Sequence, residues 1–161
     1  MNKKTISIIT PCFNEEENIL PIFEAIKKEF DNLDYEYEHI FIDNDSDDGT
    51  VKLIKELTAK YTYVKLIKNT RNFGPISSPV HGLIQSSGDA SIMLACDFED
   101  PPTLIPQLIT EWEKGFKIVL AVKKVSHEKF LFKYLKKVYY KFMSLITEST
   151  HIENATGYGL Y

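Results

Sequence analysis

At 161 residues, 43% hydrophobic and 12% aromatic, the chain is long enough to close one core and short for two independent domains, so a single domain over residues 1–161 is expected. Its 19 basic and 23 acidic residues leave a formal net charge of −4, poor footing for a general nucleic-acid binder, and nucleic acid is not an expected partner. The two cysteines, Cys12 and Cys96, lack any CxxC spacing, which argues against a disulfide framework or a zinc site and for a reduced, cytoplasmic setting.

Lys3 and Lys4 precede an apolar run, Ile6 to Thr10, that is too brief for the core of an export signal. No apolar stretch approaches the roughly 20 residues of a membrane-spanning helix. The run reads instead as a first strand, Thr5 to Thr10. A helix is expected after Asn14, with Asn14 as its cap, Glu15, Glu16 and Glu17 at the positive end of its dipole, and Ile19, Ile22, Phe23, Ile26 and Phe30 as its buried stripe. His39 to Ile42 reads as the second strand. The next helix starts after Asp47 or Asp48 and buries Val51, Ile54 and Leu57. Val64 to Lys68 is the third strand, followed after Gly74 by a helix expected to bury Ile76, Val80, Leu83 and Ile84. Ser91 to Ala95 and Lys117 to Val122 are the remaining strands. Between them a helix carries Leu104, Ile105, Leu108 and Trp112 on one face, and Pro106 is tolerable there because first-turn amides have no intrahelical partner. A fifth helix over 128–146 aligns Leu131, Leu135, Val138, Phe142 and Leu145. The apolar, aromatic end, Ala155 to Tyr161, reads as the inside of a strand or packed loop, from which a truncated C-terminus is expected.

Strands alternating with helices predict an α/β fold: a doubly wound, mostly parallel sheet with helices on both faces. Such sheets bind ligands beyond the carboxyl ends of their strands. Four loops at those ends hold the unusual residues: Pro11 to Glu15, Asp43 to Thr50, Asn69 to Gly74, and Asp97 to Pro102. Taken singly, each is an ordinary turn or helix cap. The first loop has no glycine, so it is neither a dinucleotide fingerprint nor a P-loop. A phosphoacceptor receiver domain is set aside because it needs an aspartate ending the third strand, where this chain has Lys68-Asn-Thr-Arg71. The carboxylate-rich edge repels a diphosphate unless a divalent cation, Mg²⁺ or Mn²⁺, is held between them by hard oxygen ligands.

In order and spacing, Ile8 to Asn18, Asp43 to Thr50, Arg71-Asn-Phe-Gly74 and Asp97-Phe-Glu-Asp-Pro-Pro102 resemble the motifs of family-2 glycosyltransferases. The branch is that of dolichol-phosphate mannose synthase and bacterial polyprenyl-phosphate glycosyltransferases. The resemblance implies a GT-A fold, a Rossmann-like nucleotide-binding half, and inverting transfer of a sugar from a nucleoside diphosphate to a lipid-phosphate or glycan acceptor. It implies that Pro11, Phe13 and Glu15 line the donor pocket, that Asp43 and Asn44 contact the base, that Arg71, with Asn72 beside it, meets a phosphate, and that Asp97 lies in the metal-binding segment, where Glu99 replaces a usual glutamine and is the expected second ligand of the cation. Asn44 stands where the family usually has a second aspartate; an amide accepts from a pyrimidine N3 position and donates to O4, which keeps UDP as the expected donor.

Two departures stand out. The family's Asp-x-Asp reads Ala95-Cys-Asp97, which removes one metal ligand, although Mg²⁺ commonly keeps several waters. Near the end, Gly157 and Gly159 replace the charged pair of Gly-Asp-Phe-Arg-Leu, so no catalytic base carries over there. Asp100 is the remaining candidate beside Asp97, with a helix cap as its alternative role; a lipid-phosphate acceptor, already anionic, needs no base. Ala95 and Gly157 also motivate a rival reading, a catalytically silent nucleotide-sugar-binding subunit or sensor. Lys129 to Phe142 mixes basic and aromatic residues, suited to the cytoplasmic face of a membrane or to a homo-oligomer; the plainer account is a docked helix with snorkelling lysines. None of the four histidines has a convincing catalytic partner.

Overall fold

A computed structural model describes residues 3–122 and 155–161. The elements run β1 (Thr5–Cys12), α1 (Glu16–Phe30), β2 (Glu36–Asp43), α2 (Thr50–Lys60), β3 (Val64–Lys68), α3 (Gly74–Gln85), β4 (Ala90–Met93), a 3₁₀ turn (Pro102–Leu104), α4 (Ile105–Glu113), β5 (Val119–Val122) and β6 (Ala155–Leu160). The helix expected over 128–146 lies outside the described residues. The chain divides into two compact units, Met1–Val119 with Tyr158–Tyr161, and Leu120–Gly157.

The sheet order is β3-β2-β1-β4-β6-β5. β1 pairs in parallel with both β2 and β4, β2 pairs in parallel with β3, and β6 runs antiparallel to β4. The expected mostly parallel α/β sheet is thus what forms, with the final segment entering it as a strand. Side chains alternate between faces along each strand. On β2, Tyr37, His39 and Phe41 turn to one face, where Phe30 stacks on Tyr37 at 4.2 Å between ring centroids and Phe23 on His39 at 6.2 Å. This is the side that α1 covers with its stripe of Ile19, Ile22, Phe23, Ile26 and Phe30, buried as the sequence spacing predicts. Ile40 and Ile42 turn the other way and form a cluster with Ile9, against which Ile67 and Leu83 of α3 pack. Helices therefore cover both faces.

The third helix departs from its sequence pattern. Ile76, Val80 and Ile84 are 78%, 46% and 73% exposed, whereas Ser78, Pro79 and Gly82 are buried and Leu83 is half-buried. The physical reason is close approach. A Cβ at Gly82 would meet Ile42 Cδ1 and stand 2.6 Å from Ile9 Cγ2, so α3 lies on the sheet through its small residues, and the larger ones on the next stripe are rotated outward. Hydrophobic periodicity selects the bulkiest stripe and cannot register that a helix is packed backbone-first.

At the amino edge of the sheet, buried Glu38 accepts hydrogen bonds from Ser7 Oγ (2.6 Å), from Ser87 N (2.7 Å) and Ser87 Oγ (2.9 Å), and from Lys65 Nζ. Burial pushes its carboxyl up, but these donors prevail and hold it down at about 2. The network ties β1, β2, β3 and the turn after α3 together at the end opposite the candidate site.

Candidate functional site

Because β1, β2, β3 and β4 are parallel, their carboxyl ends share one edge. In register, Cys12 pairs with Asp43 and Asp43 with Lys68, and the ladder carries into the loops through Asn44 N to Cys12 O (2.8 Å), Asn69 N to Asp43 O (2.9 Å) and Leu94 N to Ile9 O (3.0 Å).

The first two loops are laced together. Asn14 N donates to Ser46 Oγ (2.9 Å) and Asp47 N to Asn14 Oδ1 (3.0 Å). Asn14 takes a left-handed backbone, φ 56°, and does not cap α1 as its position suggests. The entry to α1 is served instead from the second loop: Glu15 N donates to Thr50 Oγ1 (2.8 Å) and Glu16 N to Asp48 Oδ2 (3.1 Å). Glu16 Oε2 reciprocates by accepting from Gly49 N (2.6 Å), and Asp48 Oδ1 accepts from Thr50 N (2.9 Å). Two helix N-termini thus satisfy each other's orphan amides across the chain, a long-range exchange that local capping rules do not anticipate.

The second and third loops meet at Asn44, which is 6% exposed. Its Oδ1 accepts from Asn69 Nδ2 (3.1 Å) and Phe73 N (2.9 Å), while its Nδ2 donates to Asn72 Oδ1 (2.8 Å) and Gly74 O (3.4 Å). Asn72 Oδ1 also accepts from Gly74 N at the start of α3 (2.8 Å). Asp43 is fully buried and its carboxylate accepts from the amides of Asp45 and Ser46 (3.2 Å each). Exposed Arg71 holds its guanidinium 4.8 Å from the Phe73 ring centroid. Of the first-loop residues, Phe13 is 47% exposed, Pro11 is half-buried, and half-buried Glu15 accepts from Asn18 Nδ2 (2.7 Å).

The fourth loop reaches the first through Cys12 and Cys96, both buried and free. Burial above all, then the hydrogen-bonded contact with Cys96 and the negative charges of Asp43 and Glu15, push the Cys12 thiol well up, which keeps it protonated and unreactive. Beyond Cys96, Asp97 and Glu99 are exposed, with Glu99 N donating to Asp97 Oδ1 (3.0 Å), and Phe98 between them takes a left-handed backbone, φ 60°. Among the described residues no group of three or more His, Cys, Asp or Glu side chains is placed to hold a metal ion. The donor set at Asp97 and Glu99 still suits Mg²⁺ or Mn²⁺, since one or two carboxylates plus substrate phosphates and waters make an ordinary octahedral site.

Sequence reasoning missed Tyr158. Pairing of β6 with β4 brings this residue, 2% exposed, beneath the fourth loop, where its hydroxyl donates to Pro101 O (3.0 Å). Burial, with the charge of Asp100 next, pushes the Tyr158 hydroxyl up, and Asp100 itself is only 8% exposed. Attention to the missing charges at Gly157 and Gly159 passed over the aromatic residue between them, and the only available signal was the apolar character of that end.

The profile of glycosyl transferase family 2 matches residues 7–159, nearly the whole chain. The chain belongs to this family. It is 36% identical over 148 residues to the putative glycosyltransferase CsbB of Bacillus subtilis (strain 168), covering 92% of this chain and 45% of that protein. It is 42% identical over 117 residues to the bactoprenol glucosyl transferase of Shigella phage SfX, covering 72% of this chain and 38% of that protein. The chain thus spans under half the length of these curated relatives. Among solved structures, TarS 1-349 of S. aureus superposes with a TM-score of 0.63 at 19% identity, covering 98% of this chain and 46% of that one. The mannosyltransferase PcManGT from Pyrobaculum calidifontis, in complex with GDP-Man and Mn²⁺, superposes with a TM-score of 0.61 at 18% identity, covering 84% and 39%. At those identities the likeness shows the fold, the GT-A fold of this family-2 glycosyltransferase chain.

Proposed function

We propose that this chain, as one nucleotide-sugar-binding domain, forms the donor half of a hexosyltransferase that moves a sugar from UDP to a lipid phosphate, with inversion at the anomeric carbon. The observation that carries the reading is the shared edge: Phe13, Asp43, Asn44 and Arg71 stand on loops joined to one another by the hydrogen bonds described above, and Asp97 follows Cys96, whose thiol meets that of Cys12 at the end of β1. Phe13, exposed, and Pro11 offer a stacking surface to the base, with Glu15 beside them. Asp43 and Asn44 form its polar end; Asn44 meets the base by exchanging its longest bond, to Gly74 O (3.4 Å). Arg71 is held by Phe73 as a preorganised cation for a phosphate oxygen, with Asn72 fixing the loop below it.

In the reaction the bond between the anomeric carbon and the diphosphate breaks, and an acceptor phosphate oxygen forms the new bond from the opposite face. Negative charge grows on the departing diphosphate, and groups that meet it more strongly in the transition state than in the ground state accelerate the step. Asp97 and Glu99 would hold the divalent cation that supplies this stabilisation when bound. Asp100, buried against Tyr158, is the general-base candidate only for a neutral hydroxyl acceptor; a phosphate acceptor leaves it a positioning role. The likeness to a bactoprenol glucosyl transferase supports the lipid-phosphate acceptor; with such an acceptor the proposed place of action is the cytoplasmic face of the membrane. The 128–146 segment is proposed as the contact with that surface or with a second copy; it lies outside the described residues.

Titration calorimetry with UDP and UDP-glucose, with and without Mn²⁺, tests the donor half on this chain. Metal-dependent binding that Phe13→Ala weakens supports the reading, and no binding to either ligand refutes it. Ala95 favours a second reading, a silent binding subunit. The two separate in the full-length protein assayed with a polyprenyl phosphate: binding without transfer selects the silent subunit.

A further inference from the structure

One side chain spans the fourth loop at its base. The stem of that loop is β4, on which β6 lies antiparallel in the register Ile92 with Leu160 and Met93 with Gly159, fixed further by the exchanged amides of Ser91 and Tyr161 at 2.8 and 2.9 Å. One step along that register, Tyr158 stands level with Leu94, where β4 gives way to the loop. The loop runs out through Asp97 and Glu99 and returns at Pro101, whose carbonyl accepts from the Tyr158 hydroxyl (3.0 Å) and from Leu104 N (3.2 Å) at the entry to α4. A carbonyl oxygen has two lone pairs, and both are used here. Tyr158 is 2% exposed, so its bond is made away from bulk water.

A second, independent observation comes from the backbone. Phe98, between Asp97 and Glu99, takes φ 60° and is 39% exposed. For a bulky side chain the left-handed region is strained, and it persists only where the surrounding structure over-determines it. What the turn accomplishes is local: Glu99 N donates to Asp97 Oδ1 (3.0 Å), which sets residues 97 and 99 side by side. A strained turn on an exposed segment relaxes unless its ends are held, and the Tyr158 bond to Pro101 ties the returning end to the strand from which the loop departs.

We propose that Tyr158 is a positioning residue for the cation of the donor site: through Pro101 it holds the fourth loop in the turn that brings the Asp97 and Glu99 carboxylates onto one divalent ion. The inference rests on the donor reading above and adds to it a residue that touches neither donor nor metal. The tie matters more in this chain because Ala95 supplies no ligand, and the hold on the ion then depends on how closely the remaining carboxylates are placed.

The test has two readouts: Mn²⁺ titrated into the chain at saturating UDP, with the free ion counted by electron paramagnetic resonance, and hydrogen exchange of the Asp97 to Asp100 amides in the metal-free protein. Tyr158→Phe removes the hydroxyl and keeps the buried ring, so the melting temperature should move little. It should weaken Mn²⁺ about tenfold, as loss of an outer partner of a metal ligand does, and speed exchange at those amides while leaving β1 and β2 unchanged. Phe98→Gly relieves the left-handed constraint, so the turn no longer needs the tie, and the double variant should regain most of the lost Mn²⁺ affinity. Equal Mn²⁺ affinity in the parent chain and Tyr158→Phe, unchanged exchange, exchange raised throughout the sheet, or an equal loss with and without Phe98→Gly overturns the inference and leaves the donor reading standing. A parent chain that takes up no Mn²⁺ with UDP overturns both.

Discussion

His39 makes the fold of this chain acid-sensitive. It is fully buried, stacks on Phe41 at 3.9 Å between ring centroids, meets Thr10 Oγ1 through Nε2 at 2.9 Å, and has no partner for Nδ1 among the described residues. Burial alone lowers its pKa from 6.5 to about 3. The folded state therefore keeps the ring neutral while the unfolded chain takes up a proton below the ordinary value. Stability is complete above pH 6.5 and is lost progressively as pH falls from there toward 3. Each unit within that window is worth about 1.4 kcal/mol. Moving from about pH 7 to about pH 5 thus removes about 2 kcal/mol, which at a urea slope of about 2 kcal/mol per molar shifts the unfolding midpoint by about 1 M. Urea unfolding of the protein and of His39→Gln at both pH values is the assay. The substitution lowers stability at neutral pH but should abolish most of the difference between the two conditions. Equal midpoint shifts in the two proteins would refute the attribution. Glu38 adds its own loss only below its ordinary value of 4.5, since its carboxylate is held down at about 2, so the contribution of His39 is read above that range.

Asn44→Ala removes the joint between the second and third loops; with the Phe73 amide losing its partner, a loss of about 2–3 kcal/mol is expected by urea unfolding, together with weaker UDP binding. Gly82→Val places side-chain atoms where Ile9 and Ile42 stand and should cost about 1–3 kcal/mol or displace α3, read as a lowered melting temperature by calorimetry. Ile84→Ser, on the exposed stripe of the same helix, should change that temperature little, which distinguishes the observed packing from the one the sequence pattern implies. Asp97→Asn should leave the fold and metal-free UDP affinity unchanged while reducing the Mn²⁺-dependent gain in UDP binding, measured by calorimetry.

The sequence by itself determined the class of fold and pointed to the edge at which the site is proposed. Alternating strands and helices dictated a parallel sheet, a parallel sheet has one carboxyl edge, and the unusual residues stood in the loops at that edge. The stripe of α1 was legible because it buries bulky side chains at helical spacing, which is what periodicity measures. The stripe of α3 was not, because contact through Gly82, Ser78 and Pro79 is set by the distance between helix and sheet, and small residues carry no hydrophobic signal. Asn14 illustrates a second limit. Its sequence position suits a helix cap, but the amides it would serve are met by Asp48 and Thr50, more than 30 residues away. Only the tertiary structure decided that Asn44 joins two loops and that Tyr158 returns beneath the fourth. Each depends on which strands become neighbours, and a hydrogen bond between distant residues leaves no periodic mark along the chain.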